Sequence, residues 1–131
     1  MNERVFDLED RLIDFASRII DIVEALPNTR AGIYIANQLV RCGLAPALLY
    51  GEAQAAESRD DFIHKMKIAL KELKETRVCL KLILRKEMIK PITRPSEVMK
   101  ENEELIAISS KSINTARQNI IKSKKRELSI K

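Results

Sequence analysis

Five basic residues, Lys67, Lys71, Lys74, Lys81 and Arg85, follow one another at spacings of four, three, seven and four. On a helix those spacings bring the side chains to one face. Like charges a turn apart repel, so a row this regular, with only Glu72, Glu75 and Glu87 among its acidic neighbours, calls for an anion or an acidic surface to meet it. Phosphate is one such anion, because Lys and Arg displace condensed counterions from a nucleic-acid backbone. A second group, Lys122, Lys124, Lys125 and Arg126, can add non-specific attraction of the same kind. Two other readings stay open: a solvated face, or a surface that meets the acidic first helix of a neighbouring subunit. Base-specific readout is not expected. The chain has two Tyr, three Phe and no Trp, Phe15 and Phe62 are expected in the core, and there is no RNP-type aromatic pattern or zinc finger.

Other chemistry finds less support. Di-iron bundles need Glu-x-x-His on two helices, whereas the single histidine, His64, stands in Asp61-Phe62-Ile63-His64. Cys42 and Cys79 fall about five residues out of register across the hairpin that would carry them, which argues against a Cys/His zinc site. They read as free thiols, with a disulfide between facing helices as the alternative. No Gly-rich phosphate loop or nucleophile elbow is present. Glu52, Glu72 and Glu75 can meet where the second and third helices face each other, and paired carboxylates can act as acid and base. Beside Arg41, Lys71 and Gln54 they read instead as a buried hydrogen-bonded network. The expectation is no metal, no cofactor and no enzymatic activity.

The elements that must position these residues are helical. Hydrophobic content is 45%, charged content 33% and aromatic content 4%, with three Gly and four Pro, which suits aliphatic seams and salt-rich faces. The 131 residues make one domain by size. No stretch reaches the roughly 20 apolar residues of a membrane span, and Met1-Asn2-Glu3-Arg4-Val5 has no apolar signal region. A cytoplasmic protein is expected. The net charge of +5 is unevenly distributed: residues 1–26 hold three basic and seven acidic residues, and residues 62–90 hold nine and three.

Helix one, about residues 4–26, carries Val5, Leu8, Leu12, Phe15, Ile19, Ile22 and Leu26 on one stripe, with Ile13, Ala16, Ile20 and Val23 widening it. Pro27 ends it, and Asn28 or Thr29 can cap the next. Helix two, 30–57, places Ile33, Ala36, Val40, Leu44, Ala47, Tyr50 and Gln54 inward. Pro46 predicts a kink or local break, eased by Gly43. Helix three, 59–87, opens on the capping-box pattern Ser58-Arg59-Asp60-Asp61 and has Phe62, Met66, Ala69, Leu73, Thr76, Leu80 and Ile83 as its seam. Helix four, 96–121, has Val98, Leu105, Ile108, Ile113, Ala116 and Ile120, diluted by Asn102, Ser109, Ser110 and Ser112. Short connections make the whole an all-α, antiparallel up-down four-helix bundle over residues 1–121, followed by a flexible basic tail, 122–131.

From Arg30 to about Arg85 the chain resembles a bacterial four-helix-bundle family, named after a protein encoded within an intervening sequence of 23S rRNA genes and often labelled ribosomal. The resemblance rests on Arg41, Tyr50, Gly51 and Glu52 in helix two and on Phe62, Ile63, Ile68, Ala69, Glu72 and Glu75 in helix three. The chain departs from it at Ala45, Pro46 and Leu49, where relatives favour Ser, Ile and Asn, and at Cys79, where many have Trp. The resemblance implies a ring-like homopentamer. It also implies that Arg41, Tyr50, Glu52, Glu72 and Glu75 are structural. Some relatives are basic rings that bind nucleic acid, and one branch assists the reverse transcriptase of diversity-generating retroelements. The expected function is therefore a non-enzymatic oligomeric bundle that binds RNA or DNA, structured RNA first, through phosphates. The alternative is a protein-interaction scaffold or accessory subunit that binds no nucleic acid itself.

Overall fold

A computed structural model describes residues 7–130, and over these the regular structure is four helices, α1 Leu8–Ala25, α2 Arg30–Gln54, α3 Arg59–Arg85 and α4 Thr93–Ile130. The expected start of the first helix at residue 4 and the place of Val5 in its stripe lie outside the described residues.

Local chemistry sets the helix ends. The side chains of Asp7, Thr29 and Ser58 accept hydrogen bonds of 3.0 Å from the backbone N–H groups of Asp10, Gly32 and Asp61, each satisfying a donor that the first turn leaves free. At the end of α3 the N–H groups of Glu87 and Met88 donate to the carbonyls of Leu84 and Ile83. This closing turn holds Glu87 at φ 48°, a conformation that favours glycine.

α1 packs on α2 and α4, and α3 packs on the other sides of the same two helices. α1 and α3 are thus diagonal to each other. Contacts run in descending register: Arg77 of α3 meets Glu103 of α4, whereas Arg59, eighteen residues earlier, reaches Asn119 and Ser123. Leu12, Phe15, Ile19 and Ile22 of α1 and Met66, Leu73, Leu80 and Ile83 of α3 are buried as their spacing predicts. Phe62 is only half-buried, and Ile63 takes the seam position beside it.

Three expectations need correction. On α2 the inward face is Gly32, Leu39, Cys42, Gly43, Pro46 and Ala53, while Ile33 and Gln54 are exposed. A periodicity weighted toward large apolar residues selects the wrong line when small residues let a neighbour approach. A Cβ built on Gly43 would lie 2.8 Å from Ile19 Cγ2, closer than such atoms pack. Secondly, of the kink or local break expected at Pro46 the break is absent, because α2 continues through Pro46, which is itself buried. Thirdly, residues 122–130, expected as a tail beyond the helix, are helical, because α4 runs on to Ile130. Lys, Arg, Glu and Leu favour helix, and no Gly or Pro follows Pro95 to stop it. Pro95 sits in the first turn of α4, where its missing N–H costs nothing.

Asn102 and Ser109 do not dilute the α4 stripe. Both are buried within it. Asn102 Nδ2 donates to the Leu73 carbonyl at 3.1 Å, while its Oδ1 has no partner.

Candidate nucleic-acid interface

The basic residues of α3 divide into two sets by partner. Those on its flanks are neutralised across helix boundaries: Lys65 Nζ donates to Glu52 at 2.8 Å and Arg77 to Glu103 at 3.2 Å. Those on its crown, Lys67, Lys71, Lys74, Lys81 and Arg85, are exposed, and among the described residues none lies within 4.0 Å of a carboxylate. The crown is not uniformly polar, since Val78 is 57% exposed and Leu82 46% exposed within it. A shallow groove of about 510 Å³ runs beside it, lined by Lys67, Leu70, Lys71, Lys74, Glu75 and Val78.

A second groove, of about 300 Å³, adjoins this one between α3 and α4. It shares Lys67 and Leu70 and adds Ser110, Ile113, Asn114 and Arg117. Arg117 escaped the sequence reading. Its signal was present, because Ser110, Asn114, Arg117 and Lys124 recur at helical spacing on one face of α4.

Lys122, Lys124, Lys125 and Arg126 are exposed. The hydrogen bonds from Arg59 to the Asn119 carbonyl (3.1 Å) and Ser123 Oγ (3.0 Å) hold α4 to α3 just before them. Beyond Ser123 every side chain through Ser129 is exposed, so the helix projects by roughly 10 Å at 1.5 Å per residue. With α3 and α4 in descending register, the level of Arg85 and that of Arg126 are separated along the bundle by about 45 Å. The basic surface thus extends the length of the molecule. Opposing it, on the diagonal helix, Asp10, Asp14, Asp21 and Glu24 of α1 are exposed beside exposed Ile13 and Ile20.

The acidic residues singled out on α2 and α3 do not form one buried network. Arg41 donates to Glu72 at 3.2 Å, to Glu75 at 3.0 Å and to Gln38 at 3.2 Å. Glu52 is separate and exposed, paired with Lys65. Burial raises the Glu72 carboxyl above its usual range, while the hydrogen bond from Arg41 lowers Glu75. Tyr50 is half-buried on the wall of an apolar groove with Leu8, Phe62 and Ala116, and burial raises its phenol. Arg41, Glu72 and Glu75 thus clamp α2 to α3, as Arg11 clamps α1 to α4 through Glu101 (2.6 and 2.8 Å) and Glu104.

Cys42 and Cys79 correct another expectation. They lie near enough between α2 and α3 to perturb each other's ionisation, because side chains on facing helices reach past a register counted from the connecting loop, and the Cys42 thiol donates to the Leu39 carbonyl at 3.9 Å. Both are free. Among the described residues no group of three or more His, Cys, Asp or Glu is placed to hold a metal ion, and no helix is long and apolar enough to cross a membrane.

Residues 6–111 match the sequence profile of the 23S rRNA-intervening sequence protein family. A solved structure of a protein of unknown function, from the S23 ribosomal protein family of Bacteroides thetaiotaomicron, is 31% identical with a TM-score of 0.75. The match covers 82% of this chain and 98% of that one. No curated protein matches significantly.

Proposed function

For this chain, which belongs to the 23S rRNA-intervening sequence protein family, we propose a non-enzymatic, oligomeric, antiparallel up-down bundle that binds nucleic acid through phosphates. The observation that carries the reading is the unpaired basic crown of α3, continued by Arg117 and the projecting last turns of α4. Glu75, the carboxylate in the same groove, is hydrogen-bonded to Arg41, and among the described residues no ion pair within 4.0 Å neutralises the row, so the row meets its counterions in solution. A phosphate backbone replaces those counterions with a gain in entropy. The family's name refers to 23S rRNA, which makes structured RNA the first ligand to try. The protein acts in the cytoplasm.

The test is binding of a structured RNA and a duplex DNA across a salt series, read by fluorescence anisotropy. Five to six duplex phosphate contacts give a loss of affinity of about 10³ between 50 and 200 mM salt. Reversal of Lys71, Lys74 and Lys81 to Glu abolishes binding while the far-UV CD melt is unchanged. Deletion of residues 124–131 weakens it. No binding at low salt, or binding insensitive to salt, refutes the proposal.

A second reading is supported by the charge on the opposite side. The acidic crown of α1 (residues 10, 14, 21 and 24) and the basic crown of α3 both follow heptad-like spacing, each with exposed apolar residues beside it. Because they lie on diagonal helices, pairing α1 of one copy with α3 of the next joins different faces, the kind of contact that closes into rings. This accords with the pentamer that the family resemblance implies. Phosphates then contact Arg117 and the end of α4. The Lys71, Lys74 and Lys81 reversals separate the readings: loss of the oligomer by sedimentation supports the scaffold, and an intact oligomer that no longer binds RNA supports the first.

A further inference from the structure

Tyr50 and Phe62, both half-buried, line one groove away from the α3 crown. Tyr50 stands in the last turns of α2 and Phe62 in the first turn of α3, the helix ends joined by residues 55–58. The groove holds about 550 Å³, within the roughly 300–1,000 Å³ of small-ligand pockets. Its opposite wall is polar. There α4 supplies Ser112, Thr115 and Asn119 at spacings of three and four, with exposed Lys111 beside them. Aromatic faces are what a nucleobase stacks on, and hydroxyls and a carboxamide both donate and accept, as the edge of a base requires.

We propose that this groove seats one unpaired base of a bound RNA. The base lies against the rings of Tyr50 and Phe62, its polar atoms are met by Ser112, Thr115 and Asn119, and the adjoining phosphates rest on Lys122 and Arg126. The inference rests on the phosphate-binding reading above and adds to it a place for a base.

Three features support this. The groove is continuous with the basic end of α4: at 3.6 residues per turn Lys111, Thr115, Asn119, Lys122 and Arg126 fall within about 80° of one another on one face, with Arg117 and Lys124 on the other. Lys122 lies about 5 Å beyond Asn119 along the axis and Arg126 one turn farther, so successive phosphates of a strand can meet one each. The charge is also graded in the right sense. Among the described residues no carboxylate lies within 4.0 Å of Lys111, Lys122 or Arg126, whereas the α1 side is negative, where burial together with Asp7 and Glu9 raises the Tyr50 phenol. A nucleotide matches that gradient, with its phosphate toward the end of α4 and the N–H donors of its base toward α1. Lastly, an apolar segment of another protein would cover the same rings but leave Ser112, Thr115 and Asn119 without partners, which costs free energy.

The experiment titrates the full chain into a fully paired RNA hairpin and into the same hairpin with a single bulged 2-aminopurine nucleotide, across a salt series. Anisotropy of a terminal dye reads affinity, and 2-aminopurine fluorescence reads stacking. The bulged hairpin should bind about 5- to 150-fold tighter, with its 2-aminopurine quenched and its salt slope like that of the paired hairpin. Tyr50→Leu keeps an apolar side chain and removes the ring. It should cancel most of the advantage while leaving the paired hairpin's affinity and the far-UV CD melt unchanged, and Tyr50→Phe should retain the advantage. Equal affinity for the two hairpins with salt dependence intact overturns the base site and leaves phosphate binding standing, a comparison that needs no variant. Binding of neither hairpin at low salt overturns both. An advantage that survives in Y50L also overturns the base site, as does a changed oligomeric state of Y50L by sedimentation, which marks the groove as covered by a second copy.

Discussion

Replacing Gly43 with Ala tests how closely α1 and α2 approach, and Gly51→Ala supplies its control on the same helix. In an unhindered helix interior the change stabilises by about 0.8–1 kcal/mol, because Ala loses less backbone freedom on folding. At Gly51 an added Cβ meets nothing within 4 Å. Three residues from the end of α2, G51A is expected to gain about 0.5–1 kcal/mol. At Gly43 the same atom would lie 2.8 Å from Ile19 Cγ2, 3.0 Å from Cγ1 and 3.3 Å from Cβ. Ile19 is wholly buried, and these atoms are next to its backbone, so it cannot swing aside. Overpacking of this kind costs about 1–3 kcal/mol, leaving G43A from neutral to about 2 kcal/mol less stable than the parent. Gly32, whose Cβ would fall 2.0 Å from the Pro27 carbonyl oxygen, defines the severe end. Urea unfolding followed by far-UV CD should give the order G51A, parent, G43A, G32A, at about 4 °C of Tm per kcal/mol. I19A should make G43A less costly than in the parent, by about 1 kcal/mol or more. If G43A equals G51A in stability, or adds independently to I19A, the close crossing at Ile19 is wrong.

Asn102→Leu should be neutral or stabilising by up to about 1 kcal/mol, because it removes a buried acceptor with no donor together with a single hydrogen bond. N102D should lose stability as pH rises through the raised carboxyl pKa of the folded state, which the same urea titrations at pH 4 and pH 7 read out. Glu87→Gly should raise stability by about 1 kcal/mol, since φ 48° is costly for Glu and free for Gly. Thiolate absorbance at 240 nm should place the Cys42 transition near pH 7, and Cys79→Ala, which removes the neighbouring thiol, should move it up. A pKa lowered on folding contributes stability that is complete above the unfolded thiol value and fades as pH falls through 7. The parent should therefore lose part of its stability advantage over C42A between about pH 8.5 and pH 7.

What belonged to single helices was legible in the chain itself. Thr29 and Ser58 mark helix starts because a side-chain oxygen reaches an amide three residues on, a contact that needs no partner helix. The stripes of α1 and α3 are periodic in large aliphatic residues, and their opposite charges are countable without coordinates. Family membership followed from the motifs of α2 and α3. Other features depended on how the helices lie against one another. Gly43, Pro46 and Ala53, not Ile33, form the core face of α2, because close packing rewards smallness where periodicity rewards size. Arg41 takes Glu72 and Glu75 while Glu52 goes to Lys65, Cys42 comes near Cys79, and Arg117 enters the α3 groove. Each depends on axial shift and crossing angle, which ridges and grooves on both surfaces set together. Capping and periodicity operate within a turn or two of one helix and survive in the linear sequence. The meeting of side chains across helices is a property of the packed bundle, and only the tertiary structure decided it.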